Sequence, residues 1–553
     1  MNFIITHTKE KINTTTPILI GLVLFLLFFF LPLLTYNHTD GSGDLGKYLQ
    51  SPVRIIFGDL PYRDFWLILP PGEVFFPYFI YKIFGLNINM VLIFSIVINA
   101  AIGFFSFLLG AYLLKNNLLA IVVAFLVFFS GTPARYATYT YPHIYLLFTI
   151  TSVLLFLRSL KNSKNPGLFW AGLFIGIAFF FRFYEVGAAF LAAVLTIFFY
   201  SKITGRMFPE IIKSLGIFCM GTFLVFMTLL PVFRGICQPM LREVLKESAC
   251  HAIILGKNFP YFLDVRLRLD SFLIHLHAVV RNESQFFAKD LIISFYELFR
   301  AICFSIPFLL PFFIVAILPW YLKTKEPSQY QKIVFLFFSL WGISSLPKAL
   351  SMSDLPRIAF SITPLFVPLV ILLQRLSGVT EKNRTTLGKI IFPCVGIITA
   401  LLLLRFPFSI LRTVKDLVKD HYPVSTNYGT LLLENKSEAD DINSVIAAIR
   451  KYTEEGDYIF VVPEYAPPLY ALTKRRNSTY YDSFHDLFAR PTIQKQQGIC
   501  RDLLTKNTNL IVYYSDQRKG TFVNHCALVD KCIKDNFQPI DKTGDLWMYI
   551  SKK

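Results

Sequence analysis

The sequence predicts a polytopic α-helical membrane protein of about eleven spans with a small soluble α/β domain at its C-terminal end. Three observations predict it. Apolar residues make up 54% of the 553-residue chain, and they gather in runs of roughly 17–25 residues, the length at which a helix crosses a bilayer. Basic residues collect in alternate connections between these runs. From residue 411 onward the long runs stop, and short helix and strand patterns alternate instead. A soluble protein of this length would bury such an apolar fraction only by dividing into several domains.

Spans are expected near 17–36, 88–114, 118–133, 141–158, 167–183, 185–201, 212–233, 299–322, 333–346, 358–376 and 389–410. The first follows Lys9 and Lys11 as a signal peptide would. The run is long, however, and no small-x-small cleavage pattern follows, so a retained anchor is expected. The N-terminal flank and the even connections hold sixteen basic residues, from Lys9 and Lys11 to Arg384 and Lys389, against four acidic ones. That bias in short loops marks the cytoplasmic side. The opposite connections are longer and carry both signs, among them a first outer loop at 37–87 and a large one at 234–298. They and the tail are expected on the outer face of a plasma or inner membrane. The net charge is +18; about +16 of it lies in the membrane module 1–410, where orientation accounts for it. A nucleic-acid binder would concentrate such charge on one soluble face, so no nucleic-acid partner is expected.

The tail, 411–553, reads as a small, partly parallel α/β unit. Residues 442–449 have helical spacing, and 457–463, 510–514 and 546–550 have strand patterns. It shows no glycine-rich phosphate loop, zinc-type spacing or nucleophile elbow, so chemistry is expected elsewhere. Cys237, Cys250, Cys500, Cys526 and Cys532 fall outside the spans, where disulfides persist. Their number is odd, and a Cys237–Cys250 bridge is one option.

Function turns first on His38-Thr39-Asp40-Gly41-Ser42-Gly43-Asp44, directly after the first span. Gly41 and Gly43 interrupt regular structure, and a helix can start at Leu45. Asp44 then reads as an N-cap, as an ionised base that takes a proton from a hydroxyl, or as both. Asp40 is a solvated neighbour or an assistant. Next come Phe57-Gly58-Asp59-Leu60-Pro61-Tyr62-Arg63-Asp64-Phe65-Trp66 and Leu69-Pro70-Pro71-Gly72, followed by an apolar helix at 73–84 that is too short to span and suits the interface.

This arrangement resembles the first outer loop of the GT-C glycosyltransferases, closest to the bacterial relatives of protein O-mannosyltransferases and of the lipid A aminoarabinose transferase. Gly172-Leu173-Phe174-Ile175-Gly176, leading to Arg182, resembles that group's glycine-rich fifth span. The segment Leu346-Pro347-Lys348 to Asp354-Leu355-Pro356-Arg357 resembles its late outer loop, where relatives often carry His at the place of Arg357. The resemblance implies a sugar donor on a polyprenyl phosphate, inverting transfer to a hydroxyl acceptor on the outer face, and Asp44 as the base. It also implies cations at the bilayer edge that stabilise the leaving phosphate. Arg54, Arg63, Arg182, Lys348 and Arg357 are the candidates for that clamp.

Each candidate has a plainer reading. Arg182 would pair with Glu185, three residues on, and Arg357 with Asp354. Arg54 and Arg63 would be solvated. His143, Glu185 and Asp354 are expected to line the cavity. Asp40, Asp44 and Asp354 could hold a divalent cation, although no spacing requires one. The loop 234–298 is expected to fold over the site. Two alternatives share the gross plan. One is a flippase or transporter, which would show internal repeats; the other is a polysaccharide polymerase or ligase, whose loops are rich in Arg and His.

Overall fold

The computed structural model describes residues 15–39, 43–67, 70–131, 143–162, 165–204, 207–229, 270, 273, 288–324, 327–352, 362–377, 386–462, 469–481, 492–514, 526–543 and 546–552. Every expected span coincides with a helix. These are α1 (Thr15–Leu33), α4 (Ile88–Leu114), α5 (Asn117–Gly131), α6 (His143–Asn162), α7 (Asn165–Phe179), α8 (Phe183–Thr204), α9 (Phe208–Leu229), α10 (Ala288–Lys323), α11 (Gln329–Met352), α12 (Phe366–Ser377) and α13 (Thr386–Leu403). Between α1 and α4, in the connection called the first outer loop from the side expected for it, lie two helices, α2 (Gly43–Ile56) and α3 (Gly72–Phe84). Among the described residues, six stretches are long and apolar enough to cross a membrane alone: Thr15–Leu33, Ile88–Leu114, Ile144–Asn162, Phe183–Tyr200, Phe208–Thr228 and Ile391–Val418. Most of the loop expected at 234–298 lies outside the described residues, and α10 begins within its last part.

Two boundaries differ from expectation. The span expected at 333–346 is the middle of the longer helix α11, so Lys348 stands on a helix and not in a loop. The tail does not begin at 411 either, because a further helix, α14 (Arg405–Val418), crosses that point. Its pattern inverts that of a soluble amphipathic helix. Arg405, Ser409, Thr413 and Asp416 are buried, whereas Leu411, Val414, Leu417 and Val418 are exposed. A helix with lipid on its outside puts its apolar stripe outward.

Tight helix packing fixes α7. A Cβ on Gly172 would collide with the Phe218 carbonyl, and one on Gly221 with the Phe169 carbonyl. Thr222 Oγ1 donates to the Gly172 carbonyl at 3.0 Å. The glycines of the expected fifth span thus serve a close α7–α9 crossing of the small-residue kind found in membranes.

The tail forms a mixed α/β unit. A five-stranded sheet runs β5 (Arg476–Asn477), β4 (Tyr458–Val462), β6 (Leu510–Tyr514), β8 (Leu546–Ser551) and β7 (Phe537–Thr543). The β5–β4–β6 part is parallel, and β8 and β7 are antiparallel. Helices α15 (Lys436–Tyr452), α16 (Leu469–Thr473), α17 (Ile493–Thr505) and α18 (Ala527–Asn536) complete it. The three strands expected from sequence are β4, β6 and β8.

The tail is joined to the first outer loop at several points. Strand β1 (His38–Thr39) pairs in parallel with β3 (Gly429–Leu433), which pairs in turn with β2 (Tyr422–Thr426). Trp66 N–H donates to the Tyr480 carbonyl at 2.6 Å, and the Tyr480 hydroxyl donates to the Tyr62 carbonyl at 3.0 Å. Leu49, Val53, Phe65, Val74 and Ile80 of the loop share one apolar core with Leu431, Ile446, Ile459 and Val512 of the tail. Arg54, 1% exposed, ties this interface. It donates from Nε to Asp59 at 2.9 Å, from Nη1 to the Thr479 carbonyl at 2.8 Å and from Nη2 to the Asp64 carbonyl at 3.0 Å. Its guanidinium also covers the Phe65 ring at 4.7 Å.

Two predictions follow from this interface. Arg54→Met should lower the thermal midpoint and speed proteolysis of the tail, because a buried pair broken on one side costs about 3–5 kcal/mol; an unchanged midpoint would contradict the interface. His38 stacks on His421 with ring centroids 4.0 Å apart. Burial first, and then the His421 charge, hold His38 below its ordinary 6.5, with Asp416 acting the opposite way. The unfolded chain therefore binds more protons, so this stabilisation is complete above 6.5 and fades as pH falls below it. Amide exchange of Leu432 and Leu433, corrected for intrinsic rate, should show weaker protection at about pH 5.5 than at about 7.5.

Candidate active site

The turn Pro70-Pro71-Gly72 packs against the residues just beyond the end of α7. Gly72 N–H donates to the Phe180 carbonyl at 2.9 Å. A Cβ on Gly72 would lie 2.8 Å from that oxygen and 2.9 Å from Phe181 Cδ1, so this contact requires glycine. Helix α3 starts there, and its first turn carries Glu73. On the other side, α7 stops at Phe179 and α8 resumes at Phe183, with Arg182 in the non-helical link.

These two local features bring Glu73 and Arg182 together, Oε1 to Nε at 3.4 Å. Glu73 is 2% exposed and Arg182 is 6% exposed. Neither charge could be removed from water alone without a penalty of several kcal/mol, so each neutralises the other. Glu185, in the first turn of α8, is 8% exposed, and its Oε2 has no hydrogen-bond partner among the described residues. The buried Tyr145 of α6 lies within electrostatic reach of Glu185, Arg182 and Glu73. Tyr62 closes the cluster from the first outer loop. Burial first, and then Glu73, push its phenol well above the ordinary range, so it is a neutral donor or acceptor. Tyr62 also holds a left-handed backbone, φ 66°, fixed by donation from its N–H to the Phe65 carbonyl at 2.7 Å. Backbone strain of this kind gathers at functional sites.

The sequence candidates fall into three groups. Arg182 and Glu185 are in the cluster. The i, i+3 spacing that suggested their mutual pairing does not apply, because Arg182 is not helical; the ion pair is with Glu73. Arg54 and Arg63 stand outside the cluster. Arg54 holds the tail as described above. Arg63 is a surface residue with a 58% exposed side chain; it donates from Nε and Nη2 to the Asp64 carboxylate at 2.9 and 2.6 Å. Asp64 raises the Arg63 pKa, by hydrogen bond first and then by charge. Neither guanidinium is part of the Glu73–Arg182 cluster.

The third group is placed by backbone alone or not at all. Asp44 is the second residue of α2, where the helix dipole favours a carboxylate. His143 is the first residue of α6, and Lys348 lies near the C-terminal end of α11, before its last turn. The side chains of these three, and all of Asp40, Asp354 and Arg357, lie outside the described residues. Among the described residues no three His, Cys, Asp or Glu side chains converge as a metal site.

Glu73 is the residue that sequence reasoning missed. An acid directly after a Pro-Pro-Gly turn passes for an ordinary helix-start residue. The available signal was its complement: an arginine inside an apolar run needs a carboxylate from elsewhere.

Neither a protein-family model nor a curated protein matches the chain. Among solved structures, the crystal structure of ArnT from Cupriavidus metallidurans bound to undecaprenyl phosphate shares its architecture. The TM-score is 0.52 over 97% of each chain, at 11% identity. The fold expected from the sequence, a polytopic helical membrane protein with a small strand-containing C-terminal unit, is therefore borne out.

Proposed function

We propose that the protein is an integral-membrane, inverting glycosyltransferase that moves a sugar from a polyprenyl-phosphate donor to a hydroxyl of a lipid, glycan or protein. The observation that carries this reading is the buried Arg182–Glu73 pair, where the first outer loop meets the α7–α8 turn. A charge inside an apolar wall marks a functional position. The likeness in fold to ArnT, whose structure was solved with undecaprenyl phosphate bound, supports a lipid-phosphate ligand.

In this reading Asp44, ionised at the start of α2, removes the proton from the acceptor hydroxyl. The acceptor oxygen attacks the anomeric carbon of the donor sugar from the face opposite the phosphate. The carbon–oxygen bond to the phosphate breaks, and the polyprenyl phosphate leaves with the electron pair. Arg182 stabilises the charge growing on that phosphate. A guanidinium can present one edge to a carboxylate and another to a phosphate, and Glu73 sets its orientation. Glu185 is positioned to accept a hydrogen bond from a donor hydroxyl. Lys348 and Arg357 remain candidates for a second cationic contact, and no step is routed through a metal ion. The gathering of basic residues in alternate connections supports a cytoplasmic N-terminus, with the tail and the loops that carry the site on the outer face of the inner or plasma membrane.

Asp44→Asn should leave insertion and folding intact and lower sugar transfer by about 10²–10⁴, the value of general-base help. Near-normal turnover by this variant in vesicles would remove Asp44 as the base. Arg182→Lys keeps the charge but loses the fork. It should weaken retention of the polyprenyl-phosphate sugar at least tenfold, about 1.4 kcal/mol, measured by competition with labelled polyprenyl phosphate; unchanged retention would remove the clamp.

A further inference from the structure

Helices α17 and α18 of the tail pack along one seam. Gln496 and Cys500 are four residues apart and share one face of α17. Gln496 Oε1 accepts the Leu528 N–H at 3.0 Å, and Cys500 Sγ reaches the Leu528 carbonyl at 3.6 Å. In α18 that same carbonyl is the helical acceptor of the Cys532 N–H. The Cys500 thiol therefore stands over the backbone of Cys532, and the two thiols influence each other electrostatically. Both are half-buried, and neither is bonded to another sulfur. Cys526, also free, is fully buried.

We propose that Cys500 and Cys532 are a reversible disulfide site that clamps α17 to α18, with an oxidised protein dithiol or a small-molecule disulfide as the oxidant. Cys532 is the first nucleophile. The neighbouring Cys500, more than any other group, holds Cys532 below the ordinary thiol range, and Cys532 in turn pushes Cys500 up. The Cys532 thiolate attacks one sulfur of the oxidant, forming a mixed disulfide and releasing the oxidant's other sulfur as a thiolate. Cys500 then gives up its proton and attacks Cys532 Sγ. The intramolecular bond forms, and the second oxidant sulfur leaves. Two thiols are oxidised, and one donor disulfide is reduced to two thiols.

The site is connected to the outer loop. Asp502, two residues beyond Cys500, accepts the Tyr480 N–H at 3.0 Å, and Tyr480 is the residue that bonds Tyr62 and Trp66. Locking α17 to α18 therefore stiffens the surface that receives the first outer loop.

The test uses the full chain in detergent, treated with oxidised glutathione or with a phosphine reductant, then blocked with N-ethylmaleimide, digested and weighed. Oxidation should give a linked Cys500–Cys532 peptide pair lacking two hydrogens, reversed by the reductant. In Cys500→Ser, Cys532 should carry one glutathione instead. The ring closed is about thirty residues, so amide exchange in α17 should slow on the order of a hundredfold in the oxidised protein. Separate glutathione adducts on the two cysteines of the unaltered chain, or maleimide on both after oxidation, would overturn the proposal. Occurrence of the bridge in cells rests on the outer placement of the tail. A pair that oxidises in vitro but is alkylated when cells are quenched would contradict that placement and leave the pairing intact.

Discussion

An arginine in an apolar wall must be met by a carboxylate, and much of the geometry near the outer end of α7 follows from meeting that condition. Arg182 cannot be desolvated alone. Its partner, Glu73, comes from a segment more than a hundred residues earlier and arrives by way of a turn that only glycine permits against Phe180 and Phe181. Helix α7 must end before Arg182 for the side chain to turn toward that partner. The glycine crossing of α7 on α9 keeps the end of α7 where the turn can find it. Packing, backbone and charge thus converge on one pair.

The soluble tail is part of the same construction. The first outer loop lies between the membrane helices and the tail, held by the β1–β3 pairing, by Arg54 and by a shared apolar core. Tyr62 contacts Tyr480 through its carbonyl and shares the site cluster through its side chain. A movement of the tail would therefore be felt at Glu73 through the loop that connects them.

The membrane spans were legible in the sequence because bilayer thickness imposes a length and a composition on each of them. Strands β4 and β6 were legible because burial on both faces makes continuous apolar runs, and β8 because its apolar residues alternate between a buried and a half-buried face. The hairpin of β2 and β3 was not, since its burial is one-sided and its length short. Helix α14 escaped because its stripe is reversed, polar inward, which reads as ordinary amphipathicity in a linear scan. At the site, Arg182 was legible as a charge out of place. Glu73 was not, because a helix-start acid is common, and nothing local says that its partner lies across the fold. The surroundings of Arg54 were hidden for a related reason. Sequence shows that a cation stands near the interface but not that Asp59, Asp64 and Thr479 surround it.

The most direct test of the central claim is a double-mutant cycle on the buried pair, with Glu73→Gln, Arg182→Met and both together, reading thermal stability and sugar transfer in the same preparations. The account predicts that each single change strands a buried charge and lowers stability sharply, by about 3–5 kcal/mol, and that the double variant recovers much of that loss. Transfer should stay lost in all three. Additive, surface-like effects on stability, or transfer that returns with the double variant, would contradict the claim that this pair organises the active site.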